Sequence, residues 1–322
     1  MFRSLHRGAA LACAALVSLA LTACGGSDSE EPQLSVSGAL DRPGAPTLSE
    51  LQALTPTTQT VSFASGSGAQ AHTYTGTSLW GVLNGAGIQV DAARKNDVLN
   101  RYVLATGSDG YKAVFSLGEI NPDFGNRPSI VAYAETINGA SAALTTDGPF
   151  RVTSPGDVKG GRYVSNLVKL DVRASGSTVA ASGGGVSTQL LVSGAVQRPG
   201  SYDLAALQAL PAVTRTVGTS VYTGVSLYDF LNTTVGLVTN PAVKNDSLGL
   251  YVVATGSDGY KAAFSLGELD PGFGNQPDLI AYALNGAPLT TTGFARIVVP
   301  NDIKAGRYVS NLIAIEVFAA AP

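Results

Sequence analysis

Thr106-Gly107-Ser108-Asp109-Gly110-Tyr111-Lys112-Ala113 returns later in the chain as Thr255-Gly256-Ser257-Asp258-Gly259-Tyr260-Lys261-Ala262, an offset of 255 − 106 = 149 residues. Asp-Gly is a tight-turn dipeptide, because glycine takes positive φ without steric cost. The block therefore predicts a hairpin whose strands are Arg101 to Thr106 and Tyr111 to Leu117. Phe124-Gly125-Asn126 recurs as Phe273-Gly274-Asn275 at the same offset. Gly161 to Leu167 recurs as Gly306 to Leu312 at 145, and Val36 to Ala39 as Val192 to Ala195 at 156. The falling offset marks loops shortened in the second copy, one of them after Val61. The chain is a tandem duplication of one large unit, too few and too large for a solenoid.

Each unit reads as short elements. Leu34 to Gly38 alternates as a strand. Thr47-Leu48-Ser49-Glu50 matches a capping box, with Leu48, Leu51 and Leu54 at helical spacing, and Asp203 caps the equivalent Leu204, Leu207 and Leu210. Ser78 and Ser226 open a second short helix. Ser129 to Ala134 is a strand, Asn138-Gly139 and Asn285-Gly286 are turns, and Arg151 to Pro155 and Val164 to Val172 close the unit. The class is α+β and strand-dominated. The expected organisation is a signal peptide over 1–23, a tether over 24–32, copy one over 33–173, a flexible Gly-rich linker over 174–188 and copy two over 189–322.

At the front, Arg3, His6 and Arg7 precede an apolar run that is too short to span a bilayer and has the length of a signal peptide. Leu21-Thr22-Ala23-Cys24 resembles the bacterial lipobox, which implies cleavage before Cys24 and lipidation of its sulfur. Gly25, rather than Asp, follows, so resemblance to the sorting rules implies the outer membrane, facing the periplasm or the cell surface. The expected membrane contact is that lipid anchor.

The only other cysteine, Cys13, leaves with the signal, so the folded part has no thiol for a disulfide or a soft metal. His72 is then the one histidine left, in a small-residue stretch without a twin, and is expected in a surface loop rather than as a base. Four zinc ligands cannot be assembled from it. Removing Arg3 and Arg7 leaves 18 basic against 23 acidic side chains, near −5. No basic run stands out, which argues against nucleic acid.

The order of motifs resembles the molybdopterin-binding domain of the sulfite oxidase superfamily. It runs from Val-x-Gly through Gly76-Thr77-Ser78-Leu79 and Asp-Gly-Tyr to Ala132-Tyr133, Asn-Gly and Gly148-Pro149-Phe150-Arg151-Val152. The second copy keeps Gly293, Arg296 and Pro300 but has Phe294 in place of the proline. The resemblance implies that fold and a cleft for molybdopterin. It also implies a cysteine thiolate on the metal, from the segment before the second helix. That segment, Val61 to Thr75 here and Val217 to Tyr222 in copy two, has no cysteine. Ser65 and Ser220 are poor replacements for a soft ligand.

The candidate ligand contacts are Asp109, Tyr111 and Lys112 with their twins Asp258, Tyr260 and Lys261, and two basic sets. Arg151, Lys159 and Arg162, echoed by Arg296, Lys304 and Arg307, suit a phosphate or carboxylate, because arginine offers a bidentate fork. The alternative for the first block is a turn with an inward tyrosine, and for the basic sets, rim charges balanced by Asp157 and Asp302. Glu119 and Glu268 lack an evident acidic partner for hydrolysis. Three functions stay open: a lipid-anchored binding protein for a small anionic or pterin-like ligand, a surface scaffold whose cleft is filled, and a molybdopterin-dependent oxidoreductase. Convergence of Arg151 and Arg162 on an open pocket would separate the first from the second.

Overall fold

The structure, a computed structural model, describes residues 30–320. The signal peptide, Cys24 and most of the tether lie outside the described residues. Pro32 onward forms one compact unit that contains both copies. Among the described residues no helix is long and apolar enough to cross a membrane.

Copy one contains β1 (Ser35–Gly38), α1 (Leu48–Gln52), β2 (Pro56–Ser65), β3 (Gly68–Ser78), α2 (Leu79–Gly85), β4 (Arg101–Gly107), β5 (Lys112–Ser116), α3 (Leu117–Ile120), β6 (Ile130–Ile137), β7 (Ala140–Ala143), β8 (Arg151–Val152) and β9 (Leu167–Ala174). Copy two repeats the order with one added strand before its first helix. It has β10 (Leu190–Gly194), β11 (Gly200–Tyr202), α4 (Leu204–Gln208), β12 (Val213–Val217), β13 (Ser220–Ser226), α5 (Leu227–Asp229), β14 (Leu250–Gly256) and β15 (Lys261–Ser265). It ends with α6 (Leu266–Leu269), β16 (Leu279–Leu284), β17 (Ala287–Pro288), β18 (Arg296–Val298) and β19 (Leu312–Ala319). The class is α+β and strand-dominated, as expected.

Each copy has two sheets. One has the order β1-β9-β4-β5 in copy one and β11-β10-β19-β14-β15 in copy two. The other has the order β2-β3-β6-β7 with β8 on β6, and β12-β13-β16-β17 with β18 on β16. The capping boxes at Thr47 and Ser116 form, each hydroxyl accepting from the N3 amide while the N3 glutamate accepts from the cap amide. Copy two carries one extra residue after its second helix start, because Ser78 to Ser226 is 148 and Gly87 to Gly236 is 149. The insertion is absorbed as a π-helical stretch over Phe230–Val235.

The period-2 rule explains the packing of the first sheets. Val103 and Ala105 of β4, with Ala113 and Phe115 of β5, face copy one's own core beside Leu79, Leu83 and Leu170. The alternate residues Tyr102, Leu104 and Val114 are also buried, because they meet Tyr251 and Val253 of copy two. The rings of Tyr102 and Tyr251 lie 4.2 Å apart. The sheet is thus buried on both faces. Leu248 and Phe273 of copy two belong to copy one's core.

Two expectations change. The stretch around His72 is no loop: Gly68–Ser78 is β3, paired along its length with β2. His72 stacks beside Phe63 and Tyr74, and its Nδ1 lies 2.6 Å from Glu135. The Gly-rich linker is also held. Ser182 and Gly184 donate their amides to the Ser257 carbonyl, the Ser257 hydroxyl donates to the Gly185 carbonyl, and Tyr251 donates to the Ser175 carbonyl.

Candidate functional site

The copies meet across an approximate twofold relationship, visible in paired contacts. Asn245 donates to the Tyr111 hydroxyl (2.9 Å), which donates to the Gly161 carbonyl (2.6 Å). Asn96 donates to the Tyr260 hydroxyl (3.1 Å), which donates to the Gly306 carbonyl (2.5 Å). Both asparagines sit at positive φ, 52° and 53°, a conformation that asparagine tolerates better than most residues. Tyr111 and Tyr260 therefore pin one copy to the other.

Arg162 and Arg307 do not face a ligand. Arg162 is 2% exposed, grips Asp157 through Nε and Nη2 (2.8 and 2.7 Å), and donates to Glu119 through Nη1 (2.5 Å). Arg307 does the same with Asp302 and Glu268. Each side chain passes over a glycine of the other copy: a Cβ on Gly267 would sit 2.4 Å from Arg162 Cδ, and one on Gly118 2.5 Å from Arg307 Cδ. The carboxylates also cross-bond, because Ser265 donates to Glu119 and Ser116 to Glu268. Burial, with Glu268 nearby, raises the Glu119 carboxyl to about 7 in spite of Arg162. Burial likewise raises Asp278, whose two oxygens have no partner among the described residues.

Arg151 stays at an opening. A cleft of about 620 Å³ is lined by Arg151, Lys159, Asp109 and Tyr111 of copy one and by Lys244 and Asn245 of copy two, with Phe63, Tyr163 and Phe273 as aromatic wall. Arg151 lies 5.3–5.9 Å from the ring centroids of Phe63, Tyr74 and Tyr163. Its Nη1 donates to Asp147, while its buried Nε has no partner. Lys159 and Lys244 are exposed, with no ion pair to either among the described residues. Asp109 accepts from the Tyr111 amide, which is the turn role.

The expected basic cradle is thus divided: Arg151 and Lys159 line the cleft, and Arg162 is sealed behind Asp157 and Glu119. Lys112 lies on the strand beyond the turn, half-buried and without a partner among the described residues.

Copy two does not repeat this cleft. β12 and β13 make a short hairpin, so nothing corresponds to the Phe63–Gly66 wall. Arg296 lies 5.4 Å from the Tyr308 ring and has Thr292 where copy one has Asp147 (292 − 147 = 145). Burial lowers its guanidinium from the usual value. Lys304 is taken by Asp123 across the copies, at 2.5 Å. A second cleft of about 620 Å³ lies at Asp258, Tyr260 and Lys261, between Arg94 and Lys95 of copy one and linker residues 177–181. There the Lys261 ammonium donates to the Val179 carbonyl.

Sequence reasoning missed Lys244, Asn245 and Phe273 as parts of a copy-one site. The available signal was the repeat Lys95-Asn96-Asp97 and Lys244-Asn245-Asp246, again at offset 149.

Molybdopterin does not fit the residues present. The described residues include no cysteine, no group of three or more His, Cys, Asp or Glu is placed to hold a metal ion, and one of the three expected phosphate contacts is consumed internally.

No protein-family model matches the chain, and no curated protein matches it. Among solved structures, the chain is similar to the sulfane dehydrogenase SoxCD from Paracoccus pantotrophus. That similarity has a TM-score of 0.36 at 12% identity, over 87% of this chain and 77% of that one.

Proposed function

We propose that the protein is an exported, lipid-anchored binding protein whose copy-one cleft takes a small anionic ligand with a flat ring, without molybdenum redox chemistry. The observation that carries this reading is Arg151. Its guanidinium lies among aromatic rings at the cleft with an unpartnered Nε. The guanidinium has one carboxylate partner, Asp147, and an anion in the cleft would add a second charge-assisted contact. Lys159 and Lys244 add rim charge from both copies, so the site is complete only when the two are joined. Phe63, Tyr163 and Phe273 give a ring a face to lie against. Export and the anchor rest on the signal-like N-terminus and on Leu21 to Cys24.

The test is to purify the chain from a host that makes molybdopterin, measure bound metal and pterin, and titrate the protein with a pterin phosphate and with inorganic phosphate. The expected result is no molybdenum and saturable binding of the ring-bearing anion, weakened about tenfold in Lys159→Ala and in Lys244→Ala. Stoichiometric molybdenum, or binding that both variants leave unchanged, would overturn the reading. Palmitate labelling that is lost in Cys24→Ser checks the anchor.

A further inference from the structure

The linker gives copy two a bound segment that copy one lacks. The β14–β15 turn of copy two receives it through four hydrogen bonds to the linker main chain. The Ser257 carbonyl accepts the amides of Ser182 (2.8 Å) and Gly184 (3.0 Å). The Ser257 hydroxyl donates to the Gly185 carbonyl (2.6 Å), and Lys261 Nζ donates to the Val179 carbonyl (2.5 Å). Gly259, at φ +83°, lets the linker come close: a Cβ there would meet that of Ala181 at 3.2 Å. Under this segment Thr255, Ser257 and Lys261 are all buried, at 0%, 2% and 7% exposure.

Copy one presents the same receptor bare. Gly110 has φ +82°, but a Cβ there would meet nothing within 4 Å. Ser108 is exposed, and Thr106 and Lys112 are half-buried. Among the described residues no donor reaches the Ser108 carbonyl and no acceptor reaches Lys112. The sequence of the two turns is identical from Thr106 to Ala113, so the groups that hold the linker in copy two are all present.

We propose that the copy-one turn Thr106–Lys112 is a docking surface for a small-residue, glycine-containing polypeptide segment presented by a partner protein. The segment engages as the linker engages copy two, with its main chain turned at the glycines so that two amides meet one carbonyl. Its amides meet the Ser108 carbonyl, one of its carbonyls meets the Lys112 ammonium, and a small residue packs over Gly110. Recognition is by main chain, which favours a Gly-, Ala- and Ser-rich segment over one with bulky side chains. This surface shares Asp109 and Tyr111 with one wall of the anion cleft but includes neither Arg151 nor Lys159, so substitution at those two residues separates peptide docking from anion binding.

The experiment uses the full exported chain in two parts. First, hydrogen exchange should show protected amides at Ser182 and Gly184, and Lys261→Ala should speed their exchange. Second, a synthetic peptide of the linker sequence, Ser-Thr-Val-Ala-Ala-Ser-Gly-Gly-Gly-Val-Ser, is titrated into labelled protein and followed by amide chemical shifts. Saturable shifts over Thr106–Lys112 at millimolar peptide are expected. They should be lost in Lys112→Glu and retained in Lys159→Ala. Free-chain exchange at Ser182 and Gly184 would remove the template. Absent shifts, shifts centred on the Arg151 cleft, or binding indifferent to Lys112→Glu would overturn the proposal.

Discussion

The Ser265 hydroxyl of copy two donates to the Glu119 carboxylate of copy one across 2.6 Å, in an environment where both residues are at most 1% exposed. Ser265 also accepts the Glu268 amide as the cap of α6. One hydroxyl therefore ends a helix and joins the copies.

Ser265→Ala should cost about 2–3 kcal/mol, the sum of a lost cap and a lost hydrogen bond to a buried carboxylate. Ser226→Ala is the comparison, because Ser226 caps α5 at a half-buried position and makes no hydrogen bond across the interface. Its cost should be about 1 kcal/mol. Chemical denaturation of both variants checks the difference, and equal costs would refute the cross-copy contribution.

Acid should stabilise this protein in a defined window. The Glu119 carboxyl is raised in the folded state to about 7 from 4.5, first by burial. Below the unfolded value both states hold the proton and the contribution is complete. As pH rises through the folded value the native state gives up its extra proton, and the contribution is lost. Asp278 and Asp302, also raised by burial, act with the same sign. The midpoint of thermal unfolding should fall between pH 5 and about 7.5, and Glu119→Gln should flatten that slope.

Gly267→Ala should destabilise by about 1–3 kcal/mol or more, because the new methyl meets Arg162 Cδ at 2.4 Å and that side chain is locked by two carboxylates. Gly85→Ala, at the end of α2 with nothing within 4 Å and no positive φ, should be neutral or stabilising by up to about 1 kcal/mol. Denaturation midpoints of the pair check both signs.

Twin arginines should respond differently to Met. Arg296 is half-buried without a carboxylate, so Arg296→Met should be near neutral. Arg151→Met leaves Asp147 without its ion pair, with the Ser165 hydroxyl as its remaining side-chain donor, and should cost about 1–3 kcal/mol. Thermal unfolding of the two variants gives the comparison, and a larger loss for Arg296→Met would refute it.

The repeat, the α+β class, the Thr47 capping box and the Asp-Gly turns were legible, because each rests on local backbone chemistry. The β2–β3 hairpin was not. Its alternation places Val61, Phe63 and Tyr74 on one face, but the other face carries Thr58, Thr60, Thr73 and Thr75, whose intermediate polarity hides the period. The linker misled for another reason: its composition suits a free chain, while the groups that hold it, among them Tyr251, Ser257 and Lys261, lie far along the sequence. Arg162 was mistaken for a ligand contact because its sequence neighbourhood shows one carboxylate, Asp157, while Glu119 comes from 43 residues away.

Duplication ordinarily leaves one half free to drift while the other keeps the old task. Gly118 under Arg307 and Gly267 under Arg162 withdraw much of that freedom, because each half holds a space reserved for the other's side chain. A change at either glycine is answerable only by a change across the seam. The two halves are bound to a joint inheritance at this seam, while away from it they differ: the long outer hairpin of copy one walls a cleft, and the short hairpin of copy two does not.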